Sequence, residues 1–197
     1  PEWKEWNTDA LYTIVIQIAM PPLLALLVVL GLSDLTRPYL HSIFWPHHWP
    51  ILAQGILMVL LVDLMRYWVH RFAHTNPTLW RLHAVHHSPD KLYWLNTARF
   101  HPLEKVLHFS FDSLPFILLG VNEYVLAFYF VCYAVNGFYQ HSNVHLRLGL
   151  LNYIFSTAEL HRWHHSKFLQ EANHNYSNTT IIWDLVFGTY YRPRDRR

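Results

Sequence analysis

Ten of the 16 histidines fall into four short clusters whose spacing suits metal binding. Two clusters are HxxxH pairs and two are HxxHH triplets. The ten residues are His70, His74, His83, His86, His87, His141, His145, His161, His164 and His165. Neutral imidazole is the commonest metal ligand in proteins. Without a metal, ten clustered imidazoles would repel one another when protonated and lack partners when neutral. The pattern therefore predicts a metal site.

The number and type of ligands predict two iron ions. Ten ligands exceed the capacity of one ion but suit two ions with five each. Structural zinc sites are closed and four-coordinate, whereas nitrogen-rich sites with an open position suit iron that handles O2. Zinc could still replace iron during purification. Cys132 is the only cysteine, which excludes a thiolate zinc site and a disulfide framework.

Three residues outside the clusters are candidates for holding the ligands in place. Asp63 lies on the same predicted helical stripe as the first pair, so we expect it to accept a proton from a ligand imidazole. The alternative for Asp63 is a salt bridge with Arg66 or Arg71. His101 and His174 are the other candidates, and a structural role is the alternative for each. We do not expect the remaining histidines to be ligands: His41, His47, His48 and His108.

Helix signals precede both triplets. Asn76 followed by Pro77 predicts an N-cap and the first helical residue. Residues 156–159, Ser-Thr-Ala-Glu, predict a capping box in which Glu159 caps the helix rather than binding metal. Offsets of three and four coincide on a helix, so we expect the first helix to present all three of its histidines on one side.

Composition and apolar runs predict a membrane protein. Charged residues make up 14% of the chain, against about 25% in an average soluble protein. Residues 10–32 carry no charge and are long enough to cross a bilayer, with a kink expected at Pro21 and Pro22. Further apolar runs cover 51–69, 106–121 and 124–140, of which the last two are marginal. The sequence therefore predicts a single domain, 1–197, with an all-α fold: a polytopic membrane bundle of about four spans.

Charge predicts the orientation of this bundle. Of the 15 lysines and arginines, only Arg37 lies in the loop 33–50, and short loops rich in these residues stay in the cytoplasm. We therefore expect a histidine-rich cap on the cytoplasmic side. The basic C-terminal tail, which includes Arg196 and Arg197, suits anionic lipid headgroups better than nucleic acid. Nothing near the N-terminus has the pattern of a cleavable signal peptide.

Six segments of the chain resemble the fatty acid hydroxylase/sterol desaturase superfamily, over residues 63–191. They are HRFAH (70–74), LHAVHHS (82–88), RFHPLE (99–104), QHSNVH (140–145), ELHRWHHS (159–166) and the closing NYSNTTIIWDLVFGTYYRP (175–193). The resemblance implies that the ten histidines hold two irons in a membrane helical bundle with a cytosolic cap. It also implies a lipid substrate, O2 and a separate electron donor such as ferredoxin or cytochrome b5.

These predictions converge on an O2-dependent enzyme that hydroxylates or desaturates a C–H bond of a lipid such as a sterol or fatty acyl chain. Two alternatives remain at this stage. A membrane protein could bind metal without catalysis, and a bis-histidine haem carrier would also place histidines at helix ends.

Overall fold

The computed structural model describes residues 3–36 and 44–193, with side chains placed for 5–28 and 44–193. Arg37 and His41 lie outside these ranges, as do the arginines at 194, 196 and 197. Within the described ranges the protein is helical, and its one β pairing is a bridge between Phe155 and Thr180. The all-α prediction is confirmed.

The chain begins with a long helical rod that widens in its middle. Helix α1 covers Trp3–Tyr12, a π-helical stretch covers Thr13–Ala19, and α2 covers Met20–Thr36. Pro21 and Pro22 cannot donate to the carbonyls four residues earlier, and their rings crowd that turn. The wider π turns end at Ala19, two residues before Pro21, and accommodate both effects.

Helix α3 (Ile51–Thr75) packs on α7 (Glu123–Gln140) to form the main core. Their close approach depends on Gly55, where a Cβ atom would lie 2.5 Å from Phe128 Cδ1. The core residues on α3 recur at offsets of three and four, which is the period of one helix face. The buried core consists of Trp45, Met58, Val59, Val62, Phe116, Val121, Val125 and Tyr129.

Two helices in the described ranges are long and apolar enough to cross a membrane, Glu5–Val28 and Ile51–Thr75. The third apolar run is divided into α5 (Pro102–Asp112) and α6 (Leu114–Leu118), with a proline in the first turn of α6. Helix α7 has 18 residues and does not meet the same criterion. A bundle of about four spans therefore stays a prediction.

Two short helices carry parts of the two histidine triplets. Helix α4 covers Pro77–His83 and α8 covers Ala158–His164, and each ends within its triplet. Two 3-10 turns cover Trp94–Ala98 and Gly149–Tyr153. Two further short helices are α9 (Leu169–Ala172) and α10 (Ile182–Val186).

The predicted cap of α4 is confirmed, and that of α8 needs correction. The Asn76 side chain accepts hydrogen bonds from the backbone N–H of Thr78 and Leu79, at 2.9 and 3.1 Å. In α8 the N-cap is Thr157, one residue later than expected. Ser156 instead donates to the carbonyl of Ser177.

Glu159 also departs from the capping-box prediction. Its carboxylate accepts from Arg192 Nε at 2.9 Å and from Asn152 Nδ2 at 3.0 Å. Glu159 therefore joins the start of α8 to the end of the described chain rather than capping the helix.

Candidate metal centre

Nine of the ten predicted ligands come together in two groups. Within each group, one ring nitrogen of every histidine lies within 4.8 Å of those of the others. The five-histidine group consists of His70, His74, His83, His87 and His164. The four-histidine group consists of His86, His141, His161 and His165. The groups adjoin, because the rings of His87 and His165 are stacked with centroids 4.3 Å apart. The arrangement can hold two neighbouring cations.

Each triplet is divided between the two groups in the same way. His83 and His87 of the first triplet lie with the first pair, His70 and His74, whereas His161 and His165 of the second triplet lie with His141 of the second pair. The middle histidine of each triplet lies in the other group: His86 lies in the four-histidine group and His164 in the five-histidine group. The two groups are thus interlocked.

The first triplet does not present its three histidines on one side, in contrast to the sequence prediction. Helix α4 ends at His83, and the next residues turn, with the N–H of His86 and His87 both bonded to the carbonyl of His83. Beyond a helix end, offsets of three and four no longer fix a common side. His83, His86 and His87 therefore do not all face one ion.

His145 does not join either group in the described structure. Helix α7 ends at Gln140 and His141 is its C-cap, so the helical spacing that would align His145 with His141 is interrupted. The His145 side chain is exposed in the segment that follows. The structure thus brings together groups of five and four histidines, rather than the expected five and five.

Backbone carbonyls fix the orientation of three imidazoles. Their Nδ1 atoms donate to carbonyl oxygens: His70 to Tyr176 at 2.7 Å, His164 to His174 at 2.8 Å and His141 to Gly137 at 2.9 Å. A proton held on Nδ1 leaves the Nε2 lone pair free. These rings are therefore prepared to bind a metal through Nε2.

The Nε2 atoms meet at distances that suit a shared cation. Those of His83 and His87 lie 3.1 Å apart, and His161 Nε2 lies 3.2 Å from His141 Nε2 and 3.0 Å from His165 Nε2. Two ligands on one ion, each bonded at about 2.1 Å, are about 2.9–3.4 Å apart. The buried Nε2 atoms of His70, His74 and His164 have no hydrogen-bond partner among the described residues. The donor set therefore fits two metal ions.

Burial keeps these histidines neutral. The pKa values of His83, His86 and His161 are held well below 6.5, first by loss of hydration and then by neighbouring imidazoles. Burial also lowers the pKa of His141 to about 4. Neutral imidazoles are the form that binds metal.

Glu104 is a residue of the site that the sequence did not single out. Its Oε1 lies 2.6 Å from His83 Nδ1, with both side chains buried. Burial raises the pKa of the Glu104 carboxyl to about 8, and a cation bound by His83 would lower it again. The clue was a glutamate in the first turn of a helix that starts beside a histidine motif.

Asp63 has neither of the predicted roles. Its carboxylate accepts the backbone N–H of Thr180 at 2.6 Å and that of Thr179 at 3.1 Å. Arg66 pairs with Asp112 instead, and Arg71 donates to the Tyr67 hydroxyl. Asp63 therefore holds the segment 176–180, whose Tyr176 carbonyl orients His70.

The closing segment of the chain shapes the same loop. Asp184 accepts the N–H of Tyr176 at 2.8 Å and of Ser177 at 2.7 Å. Asn175 adopts a φ of 56°, which asparagine tolerates better than most residues. Its side chain donates to the carbonyls of Leu160 and Tyr191. These contacts aim the carbonyls of residues 174 and 176 at the histidines.

The two other candidates outside the clusters have different positions. The His101 ring caps α5, accepting from the N–H of Leu103 at 3.2 Å, so its contact is structural. His174 meets the site through its backbone, because its carbonyl accepts from His164, while its ring lies 4.9 Å from that of Tyr191. His108 is buried, 3.8 Å from Glu104 through Nε2.

Comparison with known proteins settles the family. The profile described as fatty acid hydroxylase matches residues 55–189, which include all nine grouped histidines. The chain belongs to the fatty acid hydroxylase family. The resemblance inferred from the histidine motifs is therefore confirmed. No solved structure matches the chain.

Curated members of this family include several enzymes that act on lipids. The chain is 40% identical to an ornithine lipid hydroxylase of Rhizobium tropici, over 83% of the chain and 50% of that protein. It is 35% identical to an alkylglycerol monooxygenase of Danio rerio, over 71% of the chain and 31% of that protein. A very-long-chain aldehyde decarbonylase of Oryza sativa subsp. indica is 30% identical, over 73% and 54%. The chain thus spans about a third to a half of these relatives.

Proposed function

We propose that this chain forms the oxidising centre of an O2-dependent lipid hydroxylase. The observation that carries the proposal is the convergence of nine histidines into two adjoining groups, in which the buried Nε2 atoms of His70, His74 and His164 have no hydrogen-bond partner among the described residues. Lipid-oxidising relatives support the substrate class. Residues 1–197 would act as one domain of such an enzyme.

Two iron ions are the metals proposed for the site, and when bound they would activate O2. The five-histidine group and the four-histidine group would hold one ion each. A cluster with one ligand fewer leaves more room for an exogenous oxygen ligand. His145 would lie outside both coordination shells.

The overall reaction balances with a separate reductant. A C–H bond, O2, two electrons and two protons give C–OH and water, and the electrons would come from a donor such as ferredoxin or cytochrome b5. The protein's own part is to hold the imidazoles neutral and oriented, and to exclude water from the buried groups. Desaturation, with loss of two hydrogens from the lipid, is the competing outcome.

Membrane placement is part of the proposal. The two long apolar helices would cross the bilayer, and the bias of lysines and arginines favours a cytoplasmic histidine centre. A haem carrier is disfavoured, because Nε2 atoms 3.0–3.3 Å apart leave no room for a macrocycle between imidazoles.

The test is lipid profiling of a host with and without the protein under heavy-isotope O2. A lipid that gains one labelled oxygen supports hydroxylation, whereas one that loses two hydrogens indicates desaturation. The His86→Ala variant should form neither product, and His48→Ala should behave as the wild type. An unchanged lipid profile with confirmed iron loading and a working reductant would refute the enzyme and favour metal binding without catalysis.

A further inference from the structure

A large apolar cavity lies between the N-terminal rod, α5, α6 and α7. Its volume is about 620 Å³. It is lined chiefly by aliphatic and aromatic side chains contributed by all of these elements, among them Ile18, Ala25, Phe109, Ile117, Leu126 and Phe130. Such a lining suits a hydrocarbon chain.

One wall of this cavity carries a lysine without a carboxylate partner. Lys105 is buried, with 6% of its surface exposed. Its Nζ donates to Gln17 Oε1 at 2.9 Å and lies 5.5 Å from the centre of the Tyr133 ring. No carboxylate of the described residues lies within ion-pair distance of Nζ.

The nearby carboxylates are engaged elsewhere. Asp112 also lines the cavity, but it accepts from Arg66 Nε at 2.8 Å. Glu104 accepts from His83, as described above. A buried ammonium is costly unless an anion pairs with it. The cavity therefore holds one positive charge that its walls do not balance.

The charged end of the cavity is also the end nearest the histidines. Lys105 directly follows Glu104, the partner of His83. Thr97 and Tyr133 line both the apolar cavity and a smaller one, of about 40 Å³, that His70 and His86 help to form. From Lys105 the apolar lining continues past Phe109 on α5 to Ile117 on α6.

We propose that this cavity binds a single-chain lipid with one anionic group, carboxylate or phosphate, paired with Lys105 Nζ. The hydrocarbon tail extends toward Ile117 and Leu126, away from the histidines. The ligand's charge balances the buried ammonium, and its tail fills the apolar space. The inference rests on the proposed function in one respect: the lipid in this cavity is taken to be the substrate. In that case the oxidised carbon lies close to the acidic end.

The test measures binding without turnover, in the metal-loaded protein in neutral detergent without reductant. Hexadecanoate, hexadecyl phosphate and hexadecanol compete with a fluorescent fatty-acid probe. The two anions should bind about tenfold more tightly than the alcohol, which is about 1.4 kcal/mol, because only the anions pair with the ammonium as charged hydrogen-bond acceptors. Comparison of the two anions distinguishes carboxylate from phosphate.

Three variants locate the preference. Lys105→Met should remove the advantage of the anions while keeping hexadecanol binding, and Lys105→Arg should retain it. Lys167→Met is the matched control, because Lys167 is an exposed lysine paired with Asp90; its preference should equal that of the wild type. Bound metal per chain reports whether each variant is folded.

Two results would overturn the inference. One is wild-type protein that binds hexadecanol as tightly as the anions, which decides the matter even if Lys105→Met does not fold. The other is a Lys105→Met variant that keeps the preference. A charge preference without any oxygen-labelled product would leave the lipid site standing and refute the proposed hydroxylation. Labelled product without a charge preference would refute the lipid site and leave the proposed hydroxylation standing.

Discussion

The ring of His164 packs against that of His70 with centroids 4.4 Å apart, although one residue comes from α8 and the other from α3. His86 makes the converse crossing and lies 5.0 Å from His141. Each proposed ion would therefore be bonded to histidines of both the first and the second triplet. Metal binding should fasten the two halves together.

The first prediction follows from this crossing. His164→Ala removes a ligand that the second triplet contributes to the five-histidine group, so that group should bind its ion less tightly and bound metal should fall below two ions per chain. Elemental analysis of the purified variant measures the ratio. His145→Ala is the control and should keep both ions. Loss of metal from His145→Ala with none from His164→Ala would show that the grouping is wrong.

Spacing alone predicted the nine histidines that gather, but it also included His145 and did not predict how the nine divide. HxxxH pairs at the ends of apolar runs identify a metal site because helical periodicity carries both imidazoles to one face. In the first triplet α4 stops at His83, so His86 and His87 lie beyond the helix, and spacing does not encode where a helix ends. His145 is separated for the same reason.

The residues that hold the ligands were harder to predict, because their partners are distant in sequence. Asp63 lies on the expected stripe, yet its partners are the N–H groups of Thr179 and Thr180. Long-range pairing of a side chain with a loop leaves no local pattern. Glu104 was hidden by its position in the first turn of a helix, where a glutamate is ordinary.

The second prediction concerns Glu104. Glu104→Gln keeps the size of the side chain but removes the charge that stabilises the Nδ1 proton of His83. We expect metal affinity to fall about 10- to 100-fold, as is usual for partners of ligand histidines. A competition titration with a metal chelator measures it. Asp90→Asn, at an exposed carboxylate, should leave the affinity unchanged; an equal loss in both variants would contradict the assignment.

The third prediction concerns Asp63, which holds the loop 176–180 against α3. Asp63→Asn replaces an acceptor of two backbone N–H groups with an amide that carries less charge. The free energy of unfolding should fall by about 1.5–3 kcal/mol, and Tyr176 should then hold His70 less firmly. Thermal unfolding in detergent tests the stability. A variant as stable as the wild type would show that water or another group replaces the carboxylate.

The fourth prediction concerns the buried pair of Arg66 and Asp112, whose side chains are 7% and 8% exposed. Asp112→Ala leaves the guanidinium uncompensated and should cost about 3–5 kcal/mol of stability. The double variant Arg66→Met/Asp112→Leu should be more stable than either Arg66→Met or Asp112→Leu alone. Chemical denaturation of the wild type, Arg66→Met, Asp112→Leu and the double variant measures the coupling. Additive losses would show that the two side chains do not depend on each other.

The last prediction concerns the metal-free protein, whose buried imidazoles must stay neutral in the fold. The folded-state pKa of His141 is about 4 and that of His83 is held well below 6.5, whereas the unfolded chain takes up protons near about 6.5. Below that pH the unfolded state binds more protons than the folded state. The free energy of unfolding is therefore highest above about pH 6.5 and decreases as pH falls toward the folded pKa values. Each unit by which a pKa is lowered corresponds to about 1.4 kcal/mol per group.

Chelator-treated protein should therefore melt at a much lower temperature at about pH 5.5 than at about pH 7.5. Metal-loaded protein should melt at a higher temperature than chelated protein at about pH 7.5, because bound ions stabilise the folded state. A chelated protein whose melting temperature does not change over this range would show that the imidazoles are hydrated and already charged in the fold.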